Sequence, residues 1–319
     1  MSARPHRVTR RALLAGLPAL SALVAGCRRD APTASAPPVI EAIDIAGTPE
    51  GWLALPAARQ SFKFAVIGDS GRGWAPQHDV AQQMARYREQ FPFALVLMLG
   101  DNIYEGPATP RDYREKFEHP YRALLDGGVR FQAVLGNHDD PAQRYYEPFH
   151  MGGKRYYTFE PPGPALSRVV DAVRVFAIDS TNLDAEQIAW LERELDRSRA
   201  RWKVCMLHHP LYTCGRYTNS AYVLRWRLET ILVTHGVDVV FSGHEHFYQR
   251  STPQQGIVHF ISGAAGSLRQ GDARADAAVA RAYDRDYHFM LGEIVGSALH
   301  FQAITRTGRT IDAGVIRQA

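Results

Sequence analysis

Between residues 61 and 263, short apolar runs alternate with longer stretches of helical periodicity. The runs at 62–67, 94–99, 129–135, 173–178, 202–207 and 237–241 are rich in β-branched, aromatic and leucine side chains and too short for typical helices, so they predict buried strands. Residues 80–87 predict a helix with polar Gln82, Gln83 and Arg86 on one side. Ile188, Leu191 and Leu195 recur at helical spacing within 183–199, and 221–234 also predicts a helix. From 257 onward the runs at 257–261, 289–295, 298–304 and 308–316 predict a β-rich closing section with hairpin turns. Residues 272–286 are charged and Ala-rich, which predicts a solvated helix, with a lid over a site as the other reading. Residues 39–60 carry no pattern that places them. Strands alternating with helices, then strands alone, give an α/β architecture.

Composition changes this picture mainly at the start. Thr9-Arg10-Arg11-Ala12-Leu13-Leu14 begins a twin-arginine leader, and the apolar stretch 12–26 is short and broken by Pro18. It ends in Val24-Ala25-Gly26-Cys27, which resembles a bacterial lipobox, so residues 1–26 read as a signal peptide and Cys27 as an acylated anchor. Residues 27–60 then hold the acylated cysteine, an Ala/Pro/Ser/Thr-rich tether and an N-terminal extension, and 61–319 form the main domain. The expected location is the periplasmic side or the cell surface. The leader holds Arg4, Arg7, Arg10 and Arg11 and no acid; without it Lys and Arg match the 33 Asp and Glu. The net charge of +4 therefore vanishes with the leader, and no nucleic-acid-binding surface is expected. Cys205 and Cys214 flank one of the polar motifs, and a disulfide between them stays open at this stage.

The chemistry lies just past the strand ends. Asp69-Ser70-Gly71, Gly100-Asp101-Asn102-Ile103-Tyr104, Gly136-Asn137-His138-Asp139, His208-His209-Pro210 and Gly243-His244-Glu245-His246 each follow an apolar run. In open α/β sheets that rim is where ligands bind. A single Asp after a strand reads equally as a cap or turn residue. Two carboxylates, a phenol, an amide and three imidazoles together suffice to hold two metal ions side by side. His244 and His246, one residue apart in an extended loop, point to the same side. His208 and His209 point apart, so one of them enters the site, and His209 reads as a half-buried, satisfied histidine.

In this order the motifs resemble the calcineurin-like metallophosphoesterase superfamily and, within it, the purple acid phosphatases, over residues 61–263. The resemblance implies a four-layer α/β/β/α sandwich with a dinuclear site at the C-terminal ends of the strands. Most members begin Asp-x-His; here Gly71 stands third, and Tyr104 supplies the missing ligand in the purple acid phosphatase pattern. By the same resemblance Asp69, Asp101, Tyr104 and His246 bind Fe(III). Asp101, Asn137, His208 and His244 bind a divalent ion (Fe, Zn or Mn), with Asp101 bridging. His138 and Asp139 are the catalytic pair: His138 stabilises or protonates the leaving oxygen, and Asp139 orients its imidazole. The family often carries a further substrate-contacting histidine about ten residues after His208; none is present here, and Arg216 or Tyr212 is the candidate substitute. The chain is similar to the compact bacterial type, in which no large β-sandwich precedes the catalytic domain. The implied activity is hydrolysis of phosphate monoesters by metal-activated water, on a small phosphoester substrate, with the lipid on Cys27 as membrane contact. Cleavage of phosphodiesters such as nucleotides or lipid headgroups is the alternative, and a non-catalytic phosphate- or iron-binding lipoprotein is the third reading.

Overall fold

A computed structural model describes residues 37–161 and 173–318; the leader, Cys27 and most of the tether lie outside the described residues. Strands β1 (Val39–Ala42), β2 (Phe62–Ile67), β3 (Leu95–Met98), β4 (Arg130–Ala133), β5 (Tyr157–Phe159), β6 (Val173–Ala177), β7 (Trp202–Leu207), β8 (Val239–Ser242), β9 (Tyr248–Ser251), β10 (Val258–Ser262), β11 (Val279–Tyr283), β12 (His288–Val295), β13 (Ala298–Thr305) and β14 (Thr310–Arg317) form two mixed sheets. Their orders are β1-β14-β13-β12-β2-β3-β4 and β11-β9-β10-β8-β7-β6-β5. The helices are α1 (Ala75–Gln90), α2 (Pro110–Tyr113), α3 (Arg122–Asp126), α4 (Ala185–Arg197) and α5 (Thr218–Thr234).

The sheets pack face to face. Phe64 of β2 meets Phe241 of β8 edge-on at 5.9 Å between ring centroids, and Phe260 of β10 meets Phe301 of β13 at 5.1 Å. α1 closes the outside of the first sheet with Val80, Ala81, Met84 and Tyr87. α4 and α5 close the outside of the second with Leu191, Leu195, Leu224, Leu228 and Leu232 against Phe176, Cys205 and Val240. The result is the α/β/β/α sandwich. Asp184 caps α4 by accepting the Gln187 N–H at 2.8 Å.

β2, β3 and β4 run parallel in one sheet, and β6, β7, β8 and β10 run parallel in the other. All five polar motifs follow the C-terminal ends of these strands, at one rim of the sandwich. Two regions differ from the sequence expectation. Residues 272–286 contain no helix; β11 lies there and pairs with the edge of β9, whose four residues are all buried. Covering an open strand edge outweighs the helical preference of the alanines. Within 39–60, β1 pairs antiparallel with β14 and forms an edge of the first sheet. Cys205 and Cys214 are both buried free thiols.

Two histidines are fully buried in the layers, His259 in the middle of β10 against Tyr212 and His288 at the start of β12, beside the end of β2 that leads to Asp69. Burial drives each imidazole down from its ordinary 6.5 to about 3. The unfolded chain therefore takes up these protons first, and stability is lost as pH falls from 6.5 toward 3. At about 1.4 kcal/mol per pH unit, each histidine costs about 2 kcal/mol between pH 7 and pH 5. Urea melts of His288→Gln at the two pH values should show the parent's acid loss reduced by about that amount. An unchanged loss would mean that His288 protonates in the folded chain without penalty.

Candidate metal centre

The ligand loops are built by backbone geometry. Asp69, Asp101 and His244 all have positive φ, at 56°, 52° and 68°. Such a left-handed residue costs on the order of 1 kcal/mol. Here it turns each side chain back over the strand ends. Gly71 explains why no histidine can stand at that position. A Cβ there would lie 2.1 Å from the Asn102 carbonyl oxygen. The two loops are instead zipped together, Gly71 N–H to Asp101 C=O at 3.1 Å and Tyr104 N–H to Gly71 C=O at 3.0 Å. The zip delivers the phenol of Tyr104 to the place an imidazole would have taken.

The side chains converge in two groups. Tyr104 Oη, Asp69 Oδ1 and His246 Nε2 form a triangle with all three edges at 3.2 Å. In the second group His208 Nε2 lies 3.0 Å from Asn137 Oδ1, 3.2 Å from His244 Nδ1 and 3.5 Å from Asp101 Oδ1. Asp101 also converges with Asp69 and His246 within 4.8 Å, so it belongs to both groups. The His208 tautomer is set by its other nitrogen. Nδ1–H donates to the Leu99 carbonyl at 2.9 Å, which leaves the Nε2 lone pair facing the cluster. Edges near 3.2 Å are those expected between neighbouring ligands held about 2.1 Å from one ion.

Residues 62–248 match the family described as calcineurin-like phosphoesterase, more than half of the chain. The chain belongs to that family. Purple acid phosphatase 17 of Arabidopsis thaliana is 29% identical over 240 residues, covering 65% of this chain and 69% of the relative. Tartrate-resistant acid phosphatase type 5 of Mus musculus is 22% identical over 288 residues, covering 79% and 87%. The fold is also similar to that of GAP50, described as the anchor in the inner membrane complex of Plasmodium, with a TM-score of 0.68 at 17% identity over 79% of this chain and 87% of that one. This phosphoesterase is thus a purple acid phosphatase-like phosphoric ester hydrolase with a two-metal site.

The electrostatics of the phosphoesterase site fit metal ions. Burial first, then the charge of His208, pushes the His244 imidazole down to about 2. Burial first, then Arg269, takes His246 to about 3. Both therefore present lone pairs rather than protons. Asp69 is pushed well above the carboxylate range by burial, and the Tyr104 phenol is driven far up by burial and by the Asp69 and Asp101 carboxylates. Asp101 is pushed up by burial, but His208 and hydrogen bonds from the His138 N–H and Tyr104 outweigh this and hold it below the usual range. Buried carboxylates and a phenol crowded this closely need cations to ionise together.

The other expected residues are placed as follows. His138 is exposed at the rim, its ring 5.0 Å from that of Tyr104. Asp139 does not orient it. Its carboxylate accepts the Gly136 N–H at 2.8 Å, the Ile103 N–H at 3.0 Å and the Asn102 Nδ2–H at 3.0 Å. Asp139 thus pins the loops that carry Asp101 and Asn137, because its short side chain is met by their donors before it can reach the imidazole. Tyr212 is turned toward α5, where its hydroxyl donates to Glu229, and Arg216 is half-exposed and paired with Asp272 at 2.6 Å. The ring that faces the cluster is Tyr217, 4.2 Å from His244 between centroids. His209 shares a hydrogen bond with Ser180 Oγ at 2.9 Å, but it also offers a ring nitrogen within 4.8 Å of those of His208 and His244, with its ring 4.4 Å from that of His244. The adjacent pair His208-His209 was the available signal for it. Two arginines flank the cluster without any sequence signal. The Arg72 guanidinium lies 3.7 Å from the centre of the Tyr104 ring, and the Arg269 N–H donates to the His246 carbonyl at 3.1 Å.

Proposed function

We propose that the chain hydrolyses phosphate monoesters at an Fe(III)–M(II) centre, M being Fe, Zn or Mn. Asp69, Asp101, Tyr104 and His246 would hold the ferric ion, and Asp101, Asn137, His208 and His244 the divalent one. The observation that carries this reading is the Tyr104 phenol closing a triangle of 3.2 Å edges with Asp69 and His246. A hard phenolate beside carboxylates suits Fe(III), and imidazoles with an amide oxygen suit the divalent ions. When bound, the two cations supply Lewis acidity toward a phosphate oxygen and a lowered pKa for water.

The chain's own groups then divide the remaining work. Asp101 holds the two halves in register, and Asp139 fixes the loops on either side of it. His138, exposed at the mouth, is the group that can hand a proton to the leaving oxygen. Tyr217, and neither Arg216 nor Tyr212, presents a side chain against His244, where the substrate phosphate enters. The leader motifs at 9–14 and 24–27 support export by the twin-arginine route and lipid attachment at Cys27.

The visible spectrum of the purified protein, recorded with its metal content, tests the reading. A broad band that disappears in Tyr104→Phe, with iron among two metals per chain, is the expected result. A colourless protein with two divalent ions would remove the ferric assignment. Rates on aryl monophosphates should exceed those on bis-aryl phosphates; the reverse order would make the enzyme a diesterase.

A further inference from the structure

Of the seven large hydrophobic residues exposed among the described residues, four lie on α5: Tyr222, Val223, Trp226 and Val233. Trp226 is 78% exposed, the highest of the seven. At about 100° per residue these four, with Asn219 and Thr230, share one arc of the helix. That arc holds no charged residue. Arg227 borders it on one side; on the other stands Glu229, half-buried and bonded by the Tyr212 hydroxyl, with Arg225 beyond it, whose guanidinium lies over the rings of Tyr212 and Tyr222 at 4.5 and 5.5 Å. The opposite face is committed to the core through Ala221, Leu224, Leu228 and Leu232. A soluble helix rarely leaves a tryptophan, a tyrosine and two valines together in water.

We propose that this face of α5 docks on an anionic lipid surface. Trp and Tyr prefer the boundary between headgroups and acyl chains, and arginines at the edges pair with acidic headgroups. The placement of the chain's entry agrees. Pro38, near the start of the described residues, lines a cleft of about 530 Å³ together with Val233 and Gly236 at the C-terminal end of α5. Cys27 lies eleven residues before Pro38, a reach of at most about 40 Å. A lipid on Cys27 would therefore attach the chain within that distance of the helix end, and the face of α5 would orient it. The far end of the helix begins after Tyr217, about 25 Å away along its axis, so docking would lay the catalytic mouth beside the bilayer.

The test uses the full chain with Cys27→Ser, which removes acylation, and vesicles of phosphatidylcholine with or without phosphatidylserine. Co-sedimentation with the phosphatidylserine vesicles is expected. It should weaken by about tenfold in Trp226→Ser, and in the same direction in Tyr222→Ser. Aryl phosphate turnover should stay at the parent level in both variants, showing that they are folded. A chain that remains in solution with both vesicle types would overturn the proposal, as would equal sedimentation of parent and variants. A Trp226-dependent dimer in lipid-free ultracentrifugation would assign the face to a second copy instead.

Discussion

Replacing Asp101 by alanine should leave a folded protein with turnover lowered by on the order of 10³ or more and with neither metal retained. Among the described residues Asp101 is the carboxylate that converges with both ligand groups, 3.5 Å from His208 Nε2 and within 4.8 Å of the Asp69 and His246 ligand atoms. It is 1% exposed, and its Oδ1 also accepts the His138 N–H at 3.0 Å. Removing it takes one ligand from each ion and one tie from the loop that carries Asn137 and His138. The fold should tolerate the change, because buried neighbours lose a like charge while a left-handed alanine costs on the order of 1 kcal/mol. Asp101→Asn keeps the shape and removes the charge, so its metal content separates ligand charge from loop support. Metal analysis, turnover and a thermal melt on the same preparation check the prediction. Turnover at the parent level in Asp101→Ala would refute the shared-ligand assignment.

The parts of this site that sequence could reveal are those fixed by strand order. Asp69, Asp101, Asn137, His208 and His244 each sit within four residues of a strand end, and five short apolar runs were enough to locate those ends. The missing histidine at Gly71 and the gained phenol at Tyr104 were also legible, because both lie inside motifs. Contacts made across loops were not. Nothing local says that Asp139 would be claimed by the donors of Gly136, Ile103 and Asn102, or that Tyr217 and not its neighbour Arg216 would face His244. The same limit applies to the fold. Long amphipathic segments such as α4 read correctly, whereas β11 exists because β9 has an edge to cover, a fact held by another part of the chain. The apolar arc of α5 was hidden too. Its core-facing leucines and its exposed Trp226 give a helix with apolar residues on two opposite faces, and only the packing tells the two faces apart.

Replacing Asp312 by alanine should lower folding stability by about 3–5 kcal/mol while leaving the turnover of folded molecules intact. Asp312 lies on β14 of one sheet and Arg250 on β9 of the other, each less than a tenth exposed. The carboxylate accepts the Arg250 Nε–H at 2.7 Å, an Nη2–H at 3.2 Å and the Tyr248 hydroxyl at 2.8 Å. The variant would leave a guanidinium buried between the layers with no counter-charge. Burial pushes the Arg250 pKa down, but Asp312 more than offsets this, so the arginine stays charged in the parent and its charge becomes uncompensated in the variant. A fall in melting temperature of about 10 °C is expected. The pair as a whole contributes far less than either half. Removing both charges in Arg250→Met/Asp312→Leu replaces the desolvated ions by apolar volume, and most of the lost stability should return. A double variant as unstable as Asp312→Ala would mean that the tie itself, and not relief from an orphaned charge, joins the two sheets.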